Sequence, residues 1–172
     1  MSLLQEKSYH FGQIILHWLI ALLVFYQFIS GNTFSVKKLN ECKTIPVVYH
    51  DDCSVIFNHY WIGTLILILM IIRLVMRLYF GAPSASNKLP NYIKIIGKLS
   101  HLILYLLLIS LPIIGLLGWY FDSSIMFPVH IGLSKILLFL ILLHICAVGF
   151  HEGILGSKLL YRMGSFNTKN EK

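Results

Sequence analysis

Four long apolar stretches dominate the chain, and short polar segments separate them. Each stretch is long enough to cross a bilayer, because an apolar α-helix needs about 20 residues to do so. Only closed hydrogen-bonding arrangements such as the α-helix are stable in hydrocarbon. The predicted helices run approximately over residues 11–30, 55–80, 92–120 and 129–155. We therefore predict an all-α membrane protein in which four transmembrane helices form an up-and-down bundle.

The composition agrees with a membrane domain and argues against an ordinary soluble enzyme. The hydrophobic fraction is 57% and the charged fraction is 12%, whereas soluble domains average about 45–50% and about 25%. The length of 172 residues suits one domain. We predict that the transmembrane domain occupies residues 1–163 and that residues 164–172 form a polar cytoplasmic tail.

The formal net charge of +7 reflects membrane orientation rather than nucleic-acid binding. The basic residues lie at the ends of apolar stretches and are not interleaved with surface aromatic residues, as a nucleic-acid site would require. If the N-terminus is cytoplasmic, ten lysines and arginines lie inside and three lie outside, with Lys135 just within the last helix. The three outer residues are Lys37, Lys38 and Lys43. An excess of inner positive charge predicts that both termini are cytoplasmic.

Histidines recur within these apolar stretches. Six of the eight lie in the predicted helices or at their ends: His17, His59, His101, His130, His144 and His151. Imidazole is costly in hydrocarbon, so such residues usually face the bundle interior and usually serve a function. Histidines shared among the helices of one bundle are what axial ligation of haem iron requires.

Depth in the membrane predicts which histidines share a haem. His130 and His144 are fourteen residues apart, close to four helical turns and about 21 Å of rise. His17 lies near the inner end of the first helix and His59 near the outer end of the second. The predicted couples are therefore His17 with His144 at the inner level and His59 with His130 at the outer level. Taken singly, each of these residues could instead be a satisfied polar group or an interfacial one.

Other polar residues leave alternatives open. His101 and His151 could replace an inner ligand, donate to a haem propionate or bind a quinone carbonyl. Arg73 and Arg77 could pair with propionates or a quinone head, although extension to lipid phosphate is a simpler role for Arg77. Cys42 and Cys53 share the first outer loop, where either a disulfide or two thiols would be consistent with the spacing. The sequence gives no geometry that would decide between these two states.

An ordered set of motifs resembles the bacterial di-haem cytochrome b561 family. It comprises His17-Trp18, the string IIRLVMRL at 71–78, the string HLILYLLLISLPIIGLLGWY at 101–120, the spacing His-x13-His-x6-His in the last helix and the terminal Leu-Leu-x-Arg-Met at 159–163. The resemblance covers nearly the whole chain. Each motif alone is weak evidence, but the order of the set is specific.

The resemblance implies a four-helix bundle that holds two b-type haems in a bacterial inner membrane. It matches the axial ligands to His17 and His144 for one haem and to His59 and His130 for the other. In the superoxide oxidase type of this family, superoxide or another periplasmic donor is oxidised outside and ubiquinone is reduced near the inner haem. That type implies a quinone neighbourhood at His151 and Arg73, with lipid and quinone as partners.

The sequence departs from the family pattern at the outer face and in the last helix. The connection at 121–128 is shorter than usual, and a usual His-His pair is His151-Glu152 here. An alternative function is a haem b electron-transfer or anchor subunit of a hydrogenase-like or formate dehydrogenase-like complex. A histidine-bearing transporter is a third class, but the spans hold few of the acidic residues that it would need.

Overall fold

Four long α-helices make up most of the described part of the chain, as the hydrophobic pattern predicts. The computed structural model describes residues 9–31, 39, 41–42, 51–81, 90–121 and 123–153. The helices are α1 (Phe11–Gly31), α2 (Asp51–Phe80), α3 (Asn91–Phe121) and α4 (Met126–Gly153). No β-strand occurs within these ranges, and each helix is long and apolar enough to cross a membrane. The predicted all-α transmembrane class is confirmed.

Two helices begin earlier than the hydrophobic pattern indicates, and local polar residues explain one of these starts. α2 begins at Asp51 and α4 at Met126. The Ser123 hydroxyl accepts hydrogen bonds from the backbone N–H groups of Ile125 (3.4 Å) and Met126 (3.3 Å), which is the role of an N-cap. The predicted end of the last helix at residue 155 and the predicted tail at 164–172 lie outside the described residues.

Consecutive helices pack along each other: α1 on α2, α2 on α3 and α3 on α4. Two apolar clusters fill the middle of the bundle. One contains Ile20, Val24, Ile66 and Met70, and the other contains Leu104, Leu111 and Leu137. Phe28 packs against both clusters. Many other apolar side chains face outward, as expected of a surface that contacts lipid rather than water.

Two amide side chains, the buried Gln13 and the half-buried Gln27, join α1 to α2. Gln13 donates through Nε2 to the carbonyl oxygens of Met76 (3.0 Å) and Gly81 (3.2 Å). Gln27 donates through Nε2 to the carbonyl oxygen of His59 (2.8 Å). Polar groups in an apolar environment need hydrogen-bond partners. These amides therefore fix the register of the two helices near both ends of α1.

A disulfide in the connection between α1 and α2 resolves the alternatives that the sequence leaves open. The end of the bundle that carries this connection is named the outer end, after the predicted orientation, and the opposite end is named the inner end. Cys42 and Cys53 are bonded, and both are buried. Together with Leu39 and Ile56 they form a cluster at the outer end of the bundle. Aromatic side chains pack against this cluster: Phe57, Trp119 and Phe127. The disulfide thus ties the loop to the outer ends of three helices.

Candidate functional site

His59 on α2 and His130 on α4 face each other across a cavity at the outer side of the bundle. The centroids of their rings are 6.2 Å apart, and the cavity has a volume of about 280 Å³. An imidazole nitrogen binds a first-row metal at about 2 Å, and it lies about 1 Å from its own ring centre. Two rings on opposite sides of one metal therefore have centres about 6 Å apart, which is the separation found here.

The cavity walls are mainly aliphatic and aromatic, with a few polar groups. Apolar walls come from every helix, and the outer disulfide cluster contributes Leu39 and Ile56. The polar residues that line the cavity, besides the two histidines, are Gln27, Tyr60, Trp119, Ser134 and Lys135. An apolar, mostly preformed cavity with a few convergent polar groups is typical of a cofactor site.

A hydrogen bond fixes the orientation of the His130 ring. Its Nδ1 lies 3.0 Å from the carbonyl oxygen of Leu111. A carbonyl can only accept, so Nδ1 carries the proton and donates. Nε2 is then the ring nitrogen with a free lone pair for a metal. Metal-binding histidines usually donate their other N–H in this way, which fixes the tautomer.

Two glycines provide the space in which these rings lie. A Cβ atom at Gly115 would lie 3.2 Å from both Nδ1 and Cε1 of His130, and one at Gly31 would lie 3.2 Å from Cε1 of His59. Both distances are shorter than ordinary van der Waals contact. Each outer histidine therefore rests against a glycine of a neighbouring helix, and a larger residue there would push the ring toward the cavity.

We expect Gly115→Ala to weaken cofactor binding at the outer histidines by about tenfold, since changes behind a metal-binding histidine typically cost about 10–100-fold in affinity. The physical reason is displacement of the His130 ring by the added methyl group. The measurement is the rate at which the purified protein loses haem to a haem-scavenging apoprotein. Gly97→Ala is the matched control, because α3 also carries Gly97 and a Cβ there meets nothing within 4 Å.

A second group of histidines lies on the other side of the apolar middle layer. His101 on α3 and His144 on α4 have ring centroids 5.3 Å apart. His17 on α1 lies near both of these rings and near Arg73. The structure therefore brings the predicted inner couple into one group and adds His101, which the sequence left among several alternatives.

Arg73 connects this inner group to α1 and α3. Its Nε donates to the hydroxyl of Tyr105 (3.0 Å), and one of its terminal nitrogens donates to the carbonyl oxygen of Gln13 (3.2 Å). Gln13 itself is buried. His151 is half-buried near the inner end of α4 and is not among these partners of Arg73. The two residues predicted for a quinone neighbourhood thus share an end of the bundle but not a described hydrogen bond.

Sequence reasoning missed the residues that support the histidines. Gln13, Gln27 and Tyr105 hold neighbouring helices or Arg73, and Gly31 and Gly115 make room for imidazole rings. The two glutamines could have been identified from the sequence, since an amide within an apolar span requires a hydrogen-bond partner. The glycines carried none, because their role depends on which helix lies opposite.

The comparison with known families agrees with this architecture. Residues 8–166 match the model of the family described as prokaryotic cytochrome b561. The chain belongs to the prokaryotic cytochrome b561 family. It is therefore a membrane cytochrome of electron transfer, which confirms the resemblance drawn from the ordered motifs, and the family implies haem b binding.

Two relatives align with this cytochrome b561 over nearly their whole length. Cytochrome b562 of Cereibacter sphaeroides is 29% identical over 161 residues, covering 92% of this chain and 96% of the relative. A protein of Yersinia pestis named probable superoxide oxidase CybB is 28% identical over 179 residues, with the same two coverages. At these identities the relatives support a common architecture and suggest oxidoreductase activity.

The residues at the outer cavity fit the haem that the family implies. The ring separation suits two axial ligands, the tautomer of His130 leaves Nε2 for iron, and two glycines leave room for the rings. In addition, Oε1 of Gln27 is buried at the cavity wall and has no hydrogen-bond partner among the described residues. Buried polar atoms of this kind usually have a partner, and a bound group or water would supply one.

Proposed function

We propose that this cytochrome b561 binds two b haems at separate depths and conducts electrons between a donor outside and quinone at the inner side. The observation that carries the proposal is the presence of two histidine groups separated by an apolar layer. The outer ligands are His59 and His130, and the inner ligands are His17 and His144. When bound, each haem iron supplies reversible one-electron chemistry, while the protein sets position and access.

Helix packing supports His17 rather than His101 as the partner of His144. Two helices whose histidines would hold one haem between them cannot pack closely against each other. In the described chain, α3 packs closely along α4, whereas α1 and α4 make few close backbone contacts, as do α2 and α4. Both proposed couples therefore join helices that are not tightly packed. The 5.3 Å separation of His101 and His144 is also short for two rings on one metal.

The reaction that we propose is oxidation of superoxide coupled to reduction of ubiquinone. Two superoxide anions give up two electrons and leave as two molecules of oxygen, and ubiquinone takes two electrons and two protons to become ubiquinol. The name of the Yersinia pestis relative supports the outer half of this reaction. A basic outer surface would attract the anion; its lysines at 37, 38 and 43 lie outside the described residues.

Arg73 and His151 are proposed for the quinone neighbourhood. Arg73 uses two N–H groups in its described hydrogen bonds, and a guanidinium has five. Its remaining N–H groups are available to a quinone carbonyl or a propionate. His151 lies two turns beyond His144 on α4, closer to the inner surface, where an imidazole can pass protons to a reduced quinone.

We also propose that the protein lies in a bacterial inner membrane with both termini in the cytoplasm. The described basic residues support this orientation, because Arg73, Arg77, Lys94 and Lys98 lie toward the ends of α2 and α3 that are joined by the connection at 82–89. That end carries the excess positive charge, which marks the cytoplasmic side.

The activity can be tested with the purified cytochrome in detergent, without any partner protein. Superoxide from an enzymatic generator is expected to reduce the haems and, with added ubiquinone, to produce ubiquinol. Superoxide dismutase should abolish both signals. Haems that respond to dithionite but not to superoxide would contradict the oxidase proposal. That outcome would favour the anchor subunit of a hydrogenase-like complex instead.

Replacing His151 with Ala is expected to leave both haems in place and to slow ubiquinol formation by at least about tenfold, because positioned proton donors typically contribute about 100-fold or more. The measurements are the haem-to-protein ratio and the steady-state rate of ubiquinol formation. Cys146→Ala, an exposed position on the same helix, is the control. A loss of haem from the His151 variant would instead make His151 an axial ligand.

A further inference from the structure

Lys135 lies within the membrane-spanning part of α4, where a cation is not expected without a function. It follows His130 by five residues, which places it about 7.5 Å deeper along the helix. Its exposed side chain lies at the edge of the outer cavity, whose lining also includes Ser134 and the two outer histidines. Ionisable residues within transmembrane helices are costly, and they usually pair with another group or line a functional path.

Among the described residues that line the cavity, none carries a negative charge that could balance Lys135. Of the residues that line it, Lys135 is the one with a charged side chain, and none is a carboxylate. The neighbouring Ser134 hydroxyl donates to the carbonyl oxygen of Ile131 (2.8 Å). A positive charge at the edge of a low-dielectric cavity strongly favours an anionic ligand, because the attraction between opposite charges is weakly screened there.

We propose that Lys135 binds a propionate carboxylate of the haem in the outer cavity. This inference rests on the proposed haem between His59 and His130. A haem brings two carboxylates into an apolar surrounding, and burying a carboxylate is unfavourable unless a cation and hydrogen bonds accompany it. Lys135 supplies the cation. The residue thus acts in haem binding at the cavity rather than in capture of superoxide at the outer surface.

The pairing has consequences for the redox behaviour of the outer haem. A neighbouring ammonium group favours addition of an electron to the iron and keeps the propionate ionised. Without it, the negative propionate lowers the midpoint potential, and the carboxyl group takes up a proton when the iron is reduced. The midpoint potential of the outer haem then becomes dependent on pH across the neutral range.

Lys135→Met tests the inference, because methionine keeps the length of the side chain and suits a membrane helix. The variant is expected to lose outer haem about tenfold faster than the wild type, since a charge-assisted hydrogen bond is removed. Its outer midpoint potential should fall and vary with pH. Lys135→Arg should restore both properties. Lys98→Met, an exposed change near the inner end of α3, is the control for charge removal.

An alternative role for Lys135 is pairing with a lipid phosphate, which, like a propionate, offers an anionic oxygen. In that case Lys135→Met would retain the outer haem, its midpoint potential and its pH dependence, and the inference would be overturned. This outcome is distinct from failure of the proposed function. A wild-type protein without two haems would contradict the function itself, whereas an unchanged variant of a two-haem protein contradicts only the role of Lys135.

Discussion

A His144→Ala protein is expected to bind one haem per chain instead of two. Alanine provides no nitrogen for iron, and the inner haem is held by a single histidine once His144 is removed. The outer haem should remain, because the apolar middle layer separates His59 and His130 from the inner group. The measurement is the haem content per protein chain, taken from the alkaline pyridine spectrum of the purified variant.

Companion variants identify the second inner ligand. His17→Ala should lose the same haem as His144→Ala, whereas His101→Ala should keep it, since α3 packs too closely on α4 to admit a haem between them. Loss of the inner haem from the His101 variant, with retention in the His17 variant, would transfer the ligand role to His101. Two haems in the His144 variant would refute the inner couple altogether.

The second large effect is expected from His130→Ala, which should remove the proposed outer haem and interrupt electron entry. The rate of superoxide-dependent ubiquinol formation should fall by about a hundredfold or more, which corresponds to a barrier increase of about 3 kcal/mol. The inner haem should remain and should still be reduced by dithionite. Stopped-flow spectroscopy of haem reduction, together with a steady-state quinol assay, measures both parts of this expectation.

Gly132→Ala is the matched control for the His130 variant. It lies on the same helix near His130, and a Cβ atom there meets nothing within 4 Å. It should therefore retain both haems and near-normal activity. A His130 variant that still reduces quinone with superoxide at the wild-type rate would show that electrons enter without the outer haem.

The positions of the helices could be predicted from the sequence because long apolar runs have one stable form in a membrane. The helical rise between His130 and His144 likewise predicted two levels, and the structure places a histidine group at each. The start of α2 at Asp51 was missed because its first residues precede the apolar run from which the helix was predicted.

The side of each helix that faces the bundle could not be predicted. These helices are apolar on nearly all sides, so no polar face marks the direction of the lipid. The rotation of α3 about its axis decides whether His101 lies near His144, and in the structure the two rings are close together. The same rotation places Gly115 against His130. The disulfide also required three-dimensional information, since the spacing of Cys42 and Cys53 fits either bonded or free thiols.

The support around the outer histidines became visible only with packing. Gln27 holds the carbonyl group of His59, and Leu111 accepts from His130. Neither partner follows from a sequence interval, because each contact joins different helices. The first contact holds the backbone of His59 and the second orients the ring of His130, which reduces the cost of ordering these residues for binding.

We propose that four histidines bind two haems at separate depths. The haem-to-protein ratio of the purified chain, combined with a redox titration, tests this proposal. We predict two b haems per chain with bis-histidine spectra and two resolvable midpoint potentials. A colourless protein after haem-supplemented expression, or a single haem with one midpoint potential, would contradict this account.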